Sequence, residues 1–244
     1  MFSSDSDRII PRRRIKFGNL IIQFLLFLFV ILFFIQMIFD SNTTNWFEDI
    51  SDYLVLLFVG FFILTSLIGF VIRWFHFRKW TIFAEERGLT VEKKSWVSSP
   101  VIQGTYRGHQ ITIADTSESR GRSREHFTNF MMTLNTPTTS TFTIKKRSIT
   151  HANRELTNDE EVDKKLTIKI NSKMLLEQIL KTRRLRQGLL ELGERSRTRD
   201  LYLNGKVLHY KESGQVSDPE YMQAVLNYMI DLIKLAERVE QIGR

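Results

Sequence analysis

The chain has 244 residues, enough for one ordinary domain and one further element. It contains no cysteine, which excludes disulfides, thiolate zinc sites and cysteine nucleophiles. Its net charge of +8 is uneven: five basic and six acidic residues precede Arg73, so the remainder carries +9, a charge suited to anionic lipid headgroups or to nucleic acid.

The first sixteen residues hold Arg8, Arg12, Arg13, Arg14 and Lys16. Residues 20–39 are then apolar apart from Gln23 and Gln36, and residues 54–72 are interrupted only by Gly60, Thr65, Ser66 and Gly69. Each run is free of charge and approaches the ~20 residues that cross a ~30 Å hydrocarbon core, where a helix pairs its own backbone groups. The first run could be a signal peptide, but it is long, and Asp40-Ser-Asn-Thr-Thr44 offers no small-x-small cleavage pattern, so it reads as retained. Thr65 and Gly69 make a small-xxx-small pair, suited to packing within a helical hairpin or at an oligomer seam.

Basic residues fix the direction. They precede the first run and follow the second as Arg73, Arg78 and Lys79, while residues 40–52 contain none. The positive-inside rule then expects a multi-pass protein of the inner membrane, with both termini cytoplasmic and a short acidic loop outside. Trp46 on one side, and Trp74 and Trp80 on the other, are expected as interfacial anchors. The organisation so read is a basic N-terminus over 1–16, a transmembrane helical hairpin over 17–74 with its external loop at 40–52, and a cytoplasmic domain over 75–244.

A helix over 75–87 is expected to continue out of the second span and stop at Gly88. Period-two alternation follows at Ile111 and Ile113, at Phe130, Met132 and Leu134, at Phe142 and Ile144, and at Leu166, Ile168 and Ile170. Such alternation indicates half-buried antiparallel strands, with turns at Arg107-Gly108 and Asn135-Thr-Pro137. One helix is expected from Ser172 to Leu192, capped at Asn171 or Ser172, and then a hairpin over 201–210 with Asn204-Gly205 as a type I′ turn. Ser217-Asp-Pro-Glu220 reads as a capping box, and Val225, Met229, Leu232, Ala236 and Val239 mark one apolar face beyond it. The fold class expected is α+β: a two-helix transmembrane hairpin, then antiparallel strands with two longer helices.

Gly104-Thr-Tyr-Arg-Gly-His109, Asn158-Asp-Glu-Glu-Val-Asp163, Leu185-Arg-Gln-Gly-Leu-Leu190, Tyr210-Lys-Glu-Ser-Gly214 and Leu235-Ala-Glu-Arg-Val-Glu240 together carry a resemblance. Over roughly residues 80–240 the chain resembles a diffuse group of prokaryotic membrane-anchored proteins. Those have a two-helix anchor, a strand pair of the type G-x-Y-R-G-R and a closing L-A-x-x-[VL]-E helix; His109 replaces the expected basic residue. The resemblance implies an architecture and brings no functional residues.

Chemistry is sparse. His76, His109, His126, His151 and His209 show no metal-ligand spacing, and the glycines build no phosphate cradle. No G-x-S-x-G elbow occurs. The acidic run from Asp159 to Asp163 lacks the ligand spacing and glycine of an EF-hand and reads as a solvated loop. No catalytic residue, metal or cofactor is therefore expected. Two basic features remain: Arg120, Arg122 and Arg124 in a polar loop, suited to phosphate groups or an ordinary hairpin tip, and Lys181, Arg183, Arg184 and Arg186 on a helix face. No nucleic-acid-reading module is visible, so nucleic acid is set aside. The expected partners are the lipid bilayer and a protein or second copy of the chain. The leading expectation is a non-enzymatic membrane-anchored module that binds a protein partner or anionic lipid; a ligand-gated two-span effector sensing an anionic or nucleotide-like signal, and an enzyme assembled only in three dimensions, stay open.

Overall fold

The structure, a computed structural model, describes residues 46–92, 99–120, 123–147, 157–194 and 199–243. The expected first span, residues 20–39, and the basic N-terminus lie outside the described residues.

The second apolar run belongs to a single helix, α1 (Trp46–Glu85), of 40 residues. At ~1.5 Å per residue it extends about 60 Å. It begins before the apolar run: residues 46–52, part of the segment expected as a short external loop, are helical, and neither proline nor glycine stands between Trp46 and Gly60 to break them. The stretch from Val59 is long and apolar enough to cross a membrane, and its most apolar part is not buried in protein. The helix ends near Gly88, as expected, where Leu89 N–H reaches the Ala84 carbonyl at 2.9 Å.

The chain divides into two compact units at this helix, one holding Arg13–Phe75 and the other His76–Arg244. In the second unit, β1 (Thr90–Glu92), β2 (Val101–Tyr106), β3 (His109–Arg120), β4 (Ser123–Thr133) and β5 (Phe142–Lys146) are followed by the short α2 (Glu160–Lys165) and β6 (Leu166–Ile170). Then come α3 (Lys173–Lys181), α4 (Arg183–Glu194), β7 (Arg199–Asn204), β8 (Val207–Ser213) and α5 (Pro219–Ile242). The strands form one antiparallel eight-stranded sheet in the order β1-β2-β3-β4-β8-β7-β5-β6. The α+β class holds, as a domain attached to one apolar helix.

The apolar positions that alternate in sequence share one face. Ile111, Ile113, Phe130, Met132, Phe142, Ile144, Leu201, Leu203, Leu208 and Tyr210 are all buried. Helix α5 lies in this core with its expected face enclosed, and so are Tyr221, Met222, Leu226, Tyr228, Ile230 and Ile233. Its second buried side meets α4: a Cβ on Gly188 would lie 2.2 Å from the Tyr228 ring, so only glycine permits that approach. The N-cap is Asp218, accepting from Glu220 N–H, with Pro219 in the first turn; the cap falls one residue beyond the expected Ser217.

Two local expectations are corrected. The helix expected over 172–192 is two helices, parted at Thr182, whose backbone is extended. Leu175 and Ile179 are buried on α3, and the next buried leucine is Leu185. Six residues on a straight helix rotate by about 240°, so an unbroken helix would aim Leu185 away from the core; the break re-phases the apolar face. The β7–β8 turn pairs Asn204 with Val207, leaving Gly205 and Lys206 as its central residues. Gly205 has φ +60°, which fits glycine in the first central position of a type II′ turn rather than the second of a type I′.

Candidate functional site

β3 and β4 outrun their neighbours. β2 accompanies β3 only as far as Ala114, and β8 accompanies β4 only from Thr128. Beyond that, the pairs from Thr116↔Phe127 to Arg120↔Ser123 join the two strands to each other, and a single bridge ties Phe127 to Gly214. The result is a two-stranded ribbon continuing out of the sheet. Thr116, Ser117, Glu118, Ser119, Arg124 and His126 are exposed along it. The polar loop expected around Arg120 is thus strand almost to its tip. Arg120 ends β3 and Arg124 lies across from Ser119, whereas Arg122 lies outside the described residues.

The ribbon carries one like-charged pair, Glu118 opposite Glu125. Such a pair is destabilising by itself. Lys211 Nζ offsets it from 2.6 Å on Glu118, while lying 4.1 Å over the Phe127 ring.

The root of the ribbon is its most connected part. The Asp115 side chain is 2% exposed and uses both oxygens. Oδ2 lies 3.1 Å from His76 Nε2 on α1, and Oδ1 accepts from the Thr128 hydroxyl at 2.5 Å. The same hydroxyl accepts from Val216 N–H at 2.9 Å. The carbonyl of Val216 in turn accepts from Trp80 Nε1 at 2.7 Å, again from α1, where the His76 and Trp80 rings lie 5.3 Å apart. Two residues of α1, the Asp115–Thr128 pair, flanked by β8 but no longer by β2, and the connection into α5 therefore close a ring of hydrogen bonds.

This geometry corrects the role expected for Trp80. It is completely buried, with Phe83 and Ala84 beside it in sequence, so its indole serves the domain core and cannot reach a bilayer interface. Trp74 is 47% exposed and packs edge-on against Phe75 at 5.1 Å. Trp46 opens α1, and its side chain lies outside the described residues.

The other charged features are absorbed by the fold. Asp159 caps α2 and binds Arg186 through two contacts, at 2.6 and 3.1 Å, which hold its carboxyl below the usual carboxylate range. Arg186 also reaches Glu161 at 2.9 Å, Arg184 reaches Asp231 at 3.1 Å, and Lys181 reaches Glu177 at 2.6 Å. The acidic run expected as a solvated loop is thus a capped helical turn, and most of the basic face of α4 is answered by carboxylates. His109 is buried against the Thr133 carbonyl, and His151 lies outside the described residues. Among the described residues, no group of three His, Asp or Glu side chains is placed to hold a metal ion.

On the sheet face opposite α5, His209 Nε2 lies 3.0 Å from Asn129 Oδ1, and Asn129 Nδ2 donates to the Thr116 hydroxyl at 2.7 Å. The Tyr202 ring meets the imidazole edge-on at 4.4 Å. Burial, and then the charge of Lys211, push the His209 pKa down to about 4, outweighing Asp200 and Glu118, so the ring is neutral near pH 7. Nothing in the sequence marked this cluster, because its members are distant polar residues that only strand pairing brings together.

Fold and ribbon together define a class: a membrane-associated α+β module carried on one apolar helix, with no catalytic cluster assembled among the described residues. No family model matches the chain, and no curated protein matches it. Among solved structures it is similar to the crystal structure of the mycobacterial trehalose monomycolate transport factor A, TtfA, with a TM-score of 0.46 and 10% identity over 66% of this chain and 95% of that one. That likeness assigns no residue here a role.

Proposed function

We propose that this chain is a multi-pass, membrane-anchored, non-enzymatic module of the inner membrane whose ribbon binds anionic lipid headgroups on the cytoplasmic side. Arg120, Arg122 and Arg124 supply the cations. The observation that carries the reading is the ribbon's root. Asp115 is bonded to His76, which stands directly after the apolar run, and Arg120 is five residues further along the strand. At ~3.3 Å per residue the ribbon's end is within about 17 Å of that contact. A bilayer's negative surface potential fades over a Debye length of about 8–10 Å, so the arginines answer to it when the ribbon's end, rather than its root alone, lies against the headgroups. Charge bias around the apolar runs supports the cytoplasmic side, and Trp74, with Trp46 beyond the other end, suits the interfacial belt.

The test uses the full chain in nanodiscs with a bimane on Ser119→Cys, the sole thiol in a cysteine-free sequence. Adding phosphatidylglycerol to phosphatidylcholine discs is expected to shift bimane emission, and salt to reverse it. Near such a surface each arginine is worth about 1 kcal/mol, so replacing all three with glutamine is expected to weaken ribbon association about a hundredfold. Emission indifferent to anionic lipid overturns the reading. Arginine-dependent retention of a co-purifying protein, with lipid without effect, assigns the ribbon to a protein partner instead.

A further inference from the structure

The ring of hydrogen bonds at the ribbon's root does more than tie the ribbon down. Its members come from three places that are far apart in sequence. His76 and Trp80 stand one turn apart on α1, which continues unbroken from the apolar stretch. Asp115 and Thr128 are the cross-strand pair at which the ribbon leaves the sheet. Val216 is held at both ends of its peptide: its N–H by Thr128 and its carbonyl by Trp80. Beyond this point the ribbon has almost no lateral support, and a two-stranded ribbon is pliable and strongly twisted. Its direction is therefore set by what holds the Asp115–Thr128 pair, and α1 holds it on both sides of the ring.

We infer that this ring is a coupling joint: engagement of the ribbon by anionic headgroups and the posture of the apolar part of α1 are linked through His76, Asp115, Thr128, Val216 and Trp80. This rests on the lipid reading of the ribbon. The linkage is reciprocal, because any change in α1 favoured by ribbon binding must in turn favour ribbon binding. The joint has the composition such a role requires. A buried carboxylate with both oxygens occupied does not tolerate losing a partner, so the ring moves as a unit rather than loosening contact by contact. Helical spacing puts Arg73, three residues before His76 and seven before Trp80, on the same face as this pair and Arg78 on the opposite side, so the joint lies within a turn of a cation at the end of the apolar run.

Two single-cysteine reporters in the full chain test this, one at Ser119 on the ribbon and one at Phe70 in the apolar stretch, each carrying bimane. In nanodiscs of phosphatidylcholine with and without phosphatidylglycerol, anionic lipid is expected to change emission at both sites. In His76→Ala the change at Ser119 persists, while the change at Phe70 falls to roughly half or less, as loss of coupling requires. His76→Gln, whose amide can still donate to Asp115, restores it. Asp115→Asn, which keeps the shape of the carboxylate, repeats the uncoupling and guards against a general packing defect. An undiminished response at Phe70 in both His76→Ala and Asp115→Asn overturns the joint. So does a lipid response at Ser119 with none at Phe70 in the parent chain, which leaves the lipid reading standing. No response at Ser119 removes the lipid reading and the coupling with it.

Discussion

Glu240 accepts three hydrogen bonds on one carboxylate oxygen, from the Thr138 hydroxyl at 2.8 Å and from the Thr139 N–H and hydroxyl at 2.9 and 3.0 Å. Glu237 takes Asn135 N–H at 2.8 Å and Thr136 N–H at 3.2 Å. The closing Leu-Ala-Glu-Arg-Val-Glu motif thus has a physical reason: its two glutamates satisfy the backbone of the loop between β4 and β5. Charge-assisted hydrogen bonds of this kind are strong, and removing the acceptor strands several donors. Glu240→Ala is expected to cost about 1–3 kcal/mol, with faster amide exchange in residues 135–140 and little change in the ribbon. His209 makes a prediction of opposite character, in pH. Its folded pKa of about 4 lies below the ordinary value of 6.5, so the native state binds fewer protons than the unfolded chain between those values. Its contribution is complete above about pH 6.5 and is lost as the pH falls toward 4, by an amount on the order of 1–2 kcal/mol once the ring's partial exposure is discounted. His209→Asn is expected to flatten the acid limb of a stability–pH profile over that window, and an unchanged limb would show that other groups govern it.

The ribbon is the element that distinguishes this sheet, and it was the least legible. The strands over 110–115 and 128–134 show because one face of each is buried, which imposes alternation. Residues 116–119, 124 and 126 are exposed, and the sequence from 116 to 126 shows no alternation, so only polarity was visible, and polarity reads as a loop. The helix break at Thr182 was hidden for a related reason. Leucine spacing on each side is helical, and only the phase between Ile179 and Leu185 records the change of direction. The short strand β1 went unread because three residues carry too little pattern, and β2, six residues containing Gly104, was visible only through the strand pair that the Gly104-Thr-Tyr-Arg-Gly-His109 resemblance implies. What was legible, the span at 54–72, the later alternating strands and the face of α5, is what burial dictates. The ribbon's independence can be tested. Joining Glu118 to Glu125 through Asn-Gly, a sequence suited to a two-residue hairpin turn, removes the tip arginines and leaves every other strand pairing in place. The expected result is a melting temperature within a few degrees of the parent, since surface changes away from packing sites usually cost less than ~0.5 kcal/mol, together with loss of any anionic-lipid response. A collapse of stability would mean the ribbon is part of the core.

At the scale of the whole molecule, α1 belongs to two environments in succession. Through residue 75 it lies with the apolar unit, and from His76 it lies with the sheet domain. Its last turns supply three fully buried side chains, Trp80, Phe83 and Ala84, to the domain's core. Arg87 continues the same side, lying 4.1 Å over the Phe83 ring and donating to Gln223 of α5 at 2.5 Å. Where the domain begins is therefore decided by packing rather than by the end of the apolar run, and the two candidate boundaries make different molecules. A chain starting at Arg73 keeps every one of these contacts and is expected to give a folded domain with a cooperative thermal transition. A chain starting at Glu86 lacks the buried tryptophan and phenylalanine. Truncating such side chains to alanine costs about 3–5 kcal/mol each, and removing both with their backbone approaches the whole 5–15 kcal/mol that stabilises an ordinary domain. That chain is expected to be unfolded, with near-ultraviolet circular dichroism lost and Tyr228, normally sealed between α5 and Gly188, open to solvent. If it instead folds with the stability of the longer chain, α1 is a tether laid against a finished domain, and the ring through His76 and Trp80 loses its mechanical basis.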